Sequence, residues 1–330
     1  MSTVTKADPA SSAGSANPLT RRRPFGDLSF QIITLAAGLL VLVILILIAV
    51  TTAQQSTNWF TSAGLKGIFS VNWDEATNNF GAMGYLFGTV ISSVIAIIIA
   101  VPVSIGIALL LTDVVPYRWS RPIVYVIDLL AVVPSVVWGL WGIIVLVPWL
   151  QHVYGSIASG LNGIPVLDNL FGESNGSVSG ASFFTCGLIL AIMITPIITS
   201  LSREVIATVP AIDKEGAYAL GATRWEMIRG AVWPHSQAGV VSAILVGLGR
   251  AMGETIAAAL VIGSSVQVTS HLFVPGYSIP SVIANQFGES SGEFRSALIG
   301  LGFVLFVITI IVNLVARVVV ERSTRRMRGA

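Results

Sequence analysis

Apolar residues fall in long, nearly unbroken runs rather than in the alternating or three-to-four spacing of a half-buried surface. Six runs, at roughly 28–51, 84–111, 122–150, 182–201, 237–266 and 296–318, each reach the ~20 residues that a helix needs to cross about 30 Å of hydrocarbon. The pattern predicts an all-α chain of six membrane spans. Residues 1–27, rich in Ser, Ala and Pro and without periodicity, predict a disordered tail. Residues 28–320 predict one transmembrane domain, and 321–330 a short basic tail. Two connections are long. The segment from about 151 to 181, with Gly155, Gly163, Pro165, Gly172, Gly176 and Gly180, predicts an irregular excursion carrying a short re-entrant element. The segment from about 202 to 235 is charged, helical in composition and punctuated at both ends.

Composition agrees with lipid as part of the solvent: 54% of residues are hydrophobic and 10% charged, more apolar surface than a soluble domain can hide. Arg21, Arg22 and Arg23 precede the first run, which exceeds the apolar core of a secretory signal and so predicts a retained span. With the N-terminus inside, Lys66 and Arg295 are the basic residues at external loops, Arg250 lies within a span, and the other lysines and arginines fall on the cytoplasmic side. Both termini are therefore expected in the cytoplasm. Arg317, Arg322, Arg325, Arg326 and Arg328 make a lipid-facing anchor, with no nucleic acid implied. Asp74, Glu75, Asp168, Glu173, Glu289 and Glu293 give the outer face a negative balance, which favours delivery of an anion by a docked carrier over capture from bulk solution.

Inside the spans, Pro102, Pro134, Pro148 and Pro196 predict kinks or interruptions. Gly84 with Gly88 and Gly249 with Gly253 have the four-residue spacing that permits close helix contact in lipid. The fifth run reads GLGRAMGET and places Arg250 and Glu254 four apart on one helix face. Charges at that depth are costly and usually face a partner or a water-filled path. They read either as a structural ion pair or as a pathway site in which Arg250 attracts an anion and Glu254 tunes it. Phosphate keeps a proton near neutral pH and can donate a hydrogen bond to Glu254, whereas sulfate would meet only repulsion.

Other constellations are thin. Cys186 is single, excludes an internal disulfide and reads as a small core residue. His152, His235 and His271 are scattered and predict no metal site. Trp138, Trp141, Trp149 and Tyr154 predict anchoring or packing, and Asp128, near the cytoplasmic entry of its span, a polar contact or snorkelling. Lys6, Lys66 and Lys214 are the lysines, and none stands in the Gly-Lys-Ser/Thr context that cradles nucleotide phosphates. An ATP-driven process would need a separate ATPase chain.

The segment 203–234, REVIATVPAIDKEGAYALGATRWEMIRGAVWP, predicts two short helices divided at Gly221, with Asp213 as a cap of the first and the second ending before Pro234. It resembles the EAA loop of bacterial ABC-importer permeases: Glu215, Ala217, Gly221 and Pro234 match. Gly216 stands where that family usually has Ala, and Trp233 where it has Leu. The stretches GLGRAMGET and GAYALGATRWEMI are similar to those of phosphate-specific permeases of the PstC type. The resemblance implies a six-span permease of the type I ABC-importer (MetI-like) class in a prokaryotic cytoplasmic membrane, itself without catalytic chemistry. It implies Glu215, Gly216, Ala217, Gly221 and Pro234 at the ATPase joint, and Arg250 and Glu254 on the phosphate path. It further implies a PstA-type permease as heterodimer partner, two PstB-type ATPases that bind ATP and Mg, and a PstS-type phosphate-binding protein. A permease for sulfate or molybdate, and an ion-coupled transporter or channel, stand as alternatives; neither of the latter needs a docking loop.

Overall fold

The computed structural model describes residues 25–75, 77–161, 164–172 and 177–328, so the predicted N-terminal tail lies outside the described residues apart from its last three, as do the last two of the basic tail. The chain divides into two units, Met1–Val50 and Thr51–Ala330. Helix α1 (Phe25–Gln55) begins in the first, and its apolar side chains from Leu28 to Val50 are exposed, as suits a helix whose neighbour is lipid.

The second unit is almost wholly helical. A short helix α2 (Thr57–Phe69), bent at Gly64, leads into a two-stranded antiparallel hairpin of β1 (Trp73–Asp74) and β2 (Asn79–Phe80). Helix α3 (Met83–Leu109) follows and ends in a π-turn, Leu110–Val114. Next come α4 (Tyr117–Val132), α5 (Ser135–Trp141), a second π-turn (Gly142–Leu146), α6 (Val147–Leu161) and α7 (Pro165–Phe171). Helix α8 (Phe183–Ala207) is the most enclosed. Beyond it lie α9 (Ala211–Ala219), α10 (Arg224–Met227), a third π-turn (Ile228–Val232), α11 (Trp233–Met252), α12 (Ile256–Val261), α13 (Ile279–Gln286) and α14 (Gly292–Arg328). Six helical stretches among the described residues are long and apolar enough to cross a membrane: 28–55, 83–114, 135–161, 183–207, 224–252 and 292–318.

Helix α8 holds the bundle. Phe183, Cys186, Ile189, Leu190, Ile194 and Ile198 on α8 pack with Ala96 and Ala100 of α3, Tyr154 of α6, and Ala251, Ala257 and Val261 near the α11–α12 junction. Small residues permit the close approach: a Cβ on Gly187 would lie 2.5 Å from Ile95, and one on Gly247 would lie 2.6 Å from Ile198. Gly88 instead backs onto the carbonyl oxygen of Tyr277, which lies in a loop rather than a helix. Gly249, predicted as a helix contact, has no atom within 4 Å of its would-be Cβ. A second cluster, Trp59, Phe80, Tyr85, Tyr277, Leu298 and Leu301, ties α2 and the hairpin to α3 and α14; the indole N–H of Trp59 donates to the Phe80 carbonyl at 2.9 Å.

Two predicted spans are corrected. The run 122–150 is divided at Val133–Pro134, because proline disfavours helix in the residue before it; α4 and α5 are separate helices, and α6 continues to Leu161. Pro102 and Pro196 stay inside unbroken helices. Pro148 and Pro234 each follow a π-turn by two residues, where the wider turn makes room for a ring that would clash with the preceding carbonyl. The run 237–266 ends as a helix at Met252 and resumes at Ile256, with Gly253 at the break.

Candidate functional site

Two regions carry the predicted functional residues: the break between α11 and α12, and the segment 203–234.

Arg250 lies in the last turn of α11, and Glu254 lies in the non-helical link beyond it. The two are thus not on one continuous helix face, which corrects the expected i,i+4 pair. Gly253 caps α11, its N–H donating to the Gly249 carbonyl at 3.2 Å. Glu254 is half-buried, and its Oε1 accepts the N–H of Ala257 at 3.3 Å. A carboxylate at that place satisfies one of the free donors that every helix start leaves. Arg250 is exposed, and no carboxylate lies within ion-pair distance of it among the described residues. It continues the row Ser242, Val246 at steps of four. Those two residues, with Ala238, Leu245 and Gly249, line one wall of a groove of about 840 Å³; Ile310, Asn313, Leu314 and Arg317 of α14 line the other. An exposed guanidinium in line with such a groove has the donor geometry that an oxyanion needs.

In the segment 203–234, α9 presents two faces. Lys214 and Ala217 turn inward, while Ile212, Glu215, Gly216, Tyr218 and Leu220 are exposed. Leu220 is 91% exposed and Ile212 75%, which is unusual for side chains of this kind outside lipid and marks a surface to be covered. Helix α9 ends in a reciprocal cap: Gly221, at φ +83°, donates to Tyr218, and Ala222 donates to Ala217. Pro210, not Asp213, occupies the N-cap; Asp213 sits in the first turn. Helix α10 opens with a capping box in which Thr223 and Glu226 bond reciprocally. The T-x-x-E spacing at 223–226 announces this box, although the sequence reading did not use it. The second helical stretch does not end before Pro234. It passes through the third π-turn directly into α11, with Pro234 in the first turn, so residues 224–252 form one continuous element. Glu215, Gly216 and Ala217 therefore share one short helix with Gly221 at its end, while Pro234 lies on the following helix.

The sequence reading also missed the contact that anchors α9. Lys214 Nζ lies 2.5 Å from Asp113 Oδ1 in the π-turn after α3. Asp128, expected to make a polar contact or to snorkel, accepts from Ser200 Oγ of α8 at 3.1 Å. Tyr154 is buried, stacked on Phe273 at 3.9 Å and hydrogen-bonded to Thr185, so it serves packing. Trp149 is exposed, and Trp138 and Trp141 meet edge to face.

The model of the family described as binding-protein-dependent transport system inner membrane component matches residues 100–329. The chain is 41% identical to the phosphate transport system permease protein PstC of Mesorhizobium japonicum, over 99% of both chains. It is 41% identical to that of Haemophilus influenzae over 89% of this chain and 92% of the relative. Against PstC 2 of Mycobacterium tuberculosis the identity is 39%, over 89% and 91%. Among solved structures, a bacterial ABC transporter involved in the import of alginate matches with a TM-score of 0.59 at 15% identity, over 90% of this chain and 96% of that one. The MetNI methionine ABC transporter, inward facing, matches at 0.51 and 14%, over 76% and 99%. These place the fold in the type I ABC-importer (MetI-like) class. By the family match and by near full-length identity, the chain belongs to the binding-protein-dependent transport system inner membrane components and, within them, to the PstC group of permease proteins.

Proposed function

We propose that this chain is one of two permease subunits of an ATP-driven importer of inorganic phosphate, working by alternating access. The observation that carries the proposal is the 41% identity to a PstC permease across 99% of both chains. Arg250 supports the substrate class: its guanidinium is exposed, lacks an acidic partner among the described residues and continues the row that lines the groove. Phosphate near neutral pH would accept hydrogen bonds from Arg250 and donate one to Glu254 through the proton it keeps, while sulfate has no proton with which to donate.

In this reading the exposed face of α9, with Glu215, Gly216 and Leu220, is covered by a separate ATPase that holds ATP and Mg. Two such PstB-type chains, a PstA-type permease and an external PstS-type phosphate-binding protein complete the importer. The chain sits in a prokaryotic cytoplasmic membrane with both termini inside. Residues 28–320 form the permease domain and 321–330 a basic tail against lipid headgroups.

Radiolabelled phosphate uptake, in cells lacking other phosphate importers, tests the proposal. Uptake is expected to require this chain and to persist in a large excess of sulfate or molybdate. Competition by either oxyanion would reassign the substrate. Glu215→Lys is expected to insert normally and to abolish uptake, and native uptake in that variant would remove the docking role of α9.

A further inference from the structure

The Lys214–Asp113 contact is the one ion pair among the described residues, and it joins two elements that the proposed mechanism must move together. Lys214 lies on the inward face of α9, and Asp113 lies in the π-turn Leu110–Val114 that continues α3. Their side chains are 19% and 6% exposed. We infer that this pair is a strut by which a displacement of α9 is passed to α3, and that its two residues position the pathway without touching the transported ion. The inference rests on the reading of 203–234 as the ATPase joint.

Three observations favour the pair over the surrounding apolar contacts. The cluster beneath it, Ala108, Ile206, Val209, Met227, Val232 and Val240, has only Ala217 of α9 packed against it. Apolar contact of this kind is non-directional, whereas a short charge-assisted hydrogen bond is directional. The second carboxylate oxygen of Asp113 is buried and has no hydrogen-bond partner. Lys214 is thus the counter-charge of a largely buried carboxylate, and drawing α9 away would leave that charge uncompensated. Finally, α3 is a continuous route to the opposite end of the bundle. Ser104 Oγ donates to the Thr195 carbonyl of α8 at 3.1 Å, and Thr89 Oγ1 accepts the Ile279 N–H at the start of α13 at 2.9 Å. A push on Asp113 therefore reaches the loop that holds Tyr277 through helix rather than through loose chain.

The test uses the complete importer in proteoliposomes with its binding protein. The readouts are phosphate imported per ATP hydrolysed and the amount of ATPase retained on purification. Asp113→Asn and Lys214→Met are each expected to lower the import ratio about tenfold, the scale of one lost charge-assisted hydrogen bond, with the ATPase retained as in the native complex. The exchanged pair, Asp113→Lys with Lys214→Asp, is expected to recover most of the ratio. Should the exchange fail to insert, Lys214→Arg keeps the charge and is expected to keep the ratio. The inference is overturned by a native ratio in the single variants, by failure of both the inserted exchange and Lys214→Arg to recover it, or by loss of the ATPase from the single variants. Trp225→Glu, on the exposed face of α10, is measured alongside. Full retention of the ATPase there counts against the docking reading itself, whatever the pair does.

Discussion

Replacing Arg250 by Gln separates a transport role from a structural one, because the fold gives this guanidinium nothing to hold. Arg250 is exposed, the one ion pair among the described residues lies elsewhere, and Glu254 is already engaged by the N–H of Ala257. Removing an exposed, unpaired charge changes stability by about 0.5 kcal/mol or less. In a chain of this size that is a melting shift of about 1 °C or less. A guanidinium donating to an oxyanion contributes roughly 1.5–3 kcal/mol, or about 10–150-fold in occupancy. Arg250→Gln is therefore expected to cut phosphate uptake by that factor while the purified complex melts almost as before. Glu254 gives the matching control. Glu254→Gln keeps a carbonyl to accept from Ala257 and loses only the charge, whereas Glu254→Ala also loses the cap, at about 1 kcal/mol. Glu254→Gln is expected to relax the exclusion of sulfate in a competition assay, and both variants to lower phosphate uptake. Native uptake in Arg250→Gln, or a loss of uptake matched by loss of assembled complex, would refute the pathway assignment and leave Arg250 a structural residue.

Four further substitutions test the local geometry of α9 and α3. Gly221→Ala must adopt φ near +83° and is expected to cost about 1 kcal/mol, while Gly216→Ala, inside α9 with open space around it, is expected to gain about 0.5–1 kcal/mol; thermal unfolding of the purified complex distinguishes them. Gly88→Ala would set a methyl 2.0 Å from the Tyr277 carbonyl oxygen, a backbone atom that cannot swing aside, and is expected to lose about 3 kcal/mol and most of the inserted protein. Thr89→Val removes the acceptor of the buried Ile279 N–H and is expected to destabilise by roughly 1–3 kcal/mol, measured by protease resistance of the loop around 277–279. An unchanged melting temperature in Gly221→Ala would mean that the cap of α9 is not formed in the assembled complex.

The six spans were legible because hydrocarbon imposes length and composition on any helix that crosses it, and local sequence carries that signal. The division of the segment 203–234 was legible for a different reason: Gly221 is punctuation whose physics is local, although the first helix is capped at Pro210 rather than Asp213 and the second runs on through Pro234. Interruptions within apolar runs were not. Pro134 breaks its run and Pro102 does not, and nothing in the two neighbourhoods distinguishes them until packing against α8 is known. The Lys214–Asp113 pair joins residues 101 positions apart, one in the charged segment and one beyond the second predicted span, so no spacing rule could bring them together. The elements α2, α13 and the hairpin were missed because their order comes from one aromatic cluster assembled from distant parts of the chain.

The same reasoning explains why Arg250 and Glu254 lie where the fifth helix fails. A helix satisfies its own backbone, and a break within an apolar run leaves donors and acceptors that lipid cannot meet, so such breaks occur where side chains or a water-lined space replace the lost bonds. Glu254 supplies one replacement by holding the N–H of Ala257. That interaction fixes the carboxylate beside the end of α11 without consuming the charge on Arg250, since the carboxylate's bond goes to backbone and not to the guanidinium. Had the helix continued through Gly253, the pair would have stood at i,i+4 and neutralised itself. In the proposed pathway the break therefore leaves the positive charge open to an anion, where an unbroken helix would have set up a bundle-stabilising pair.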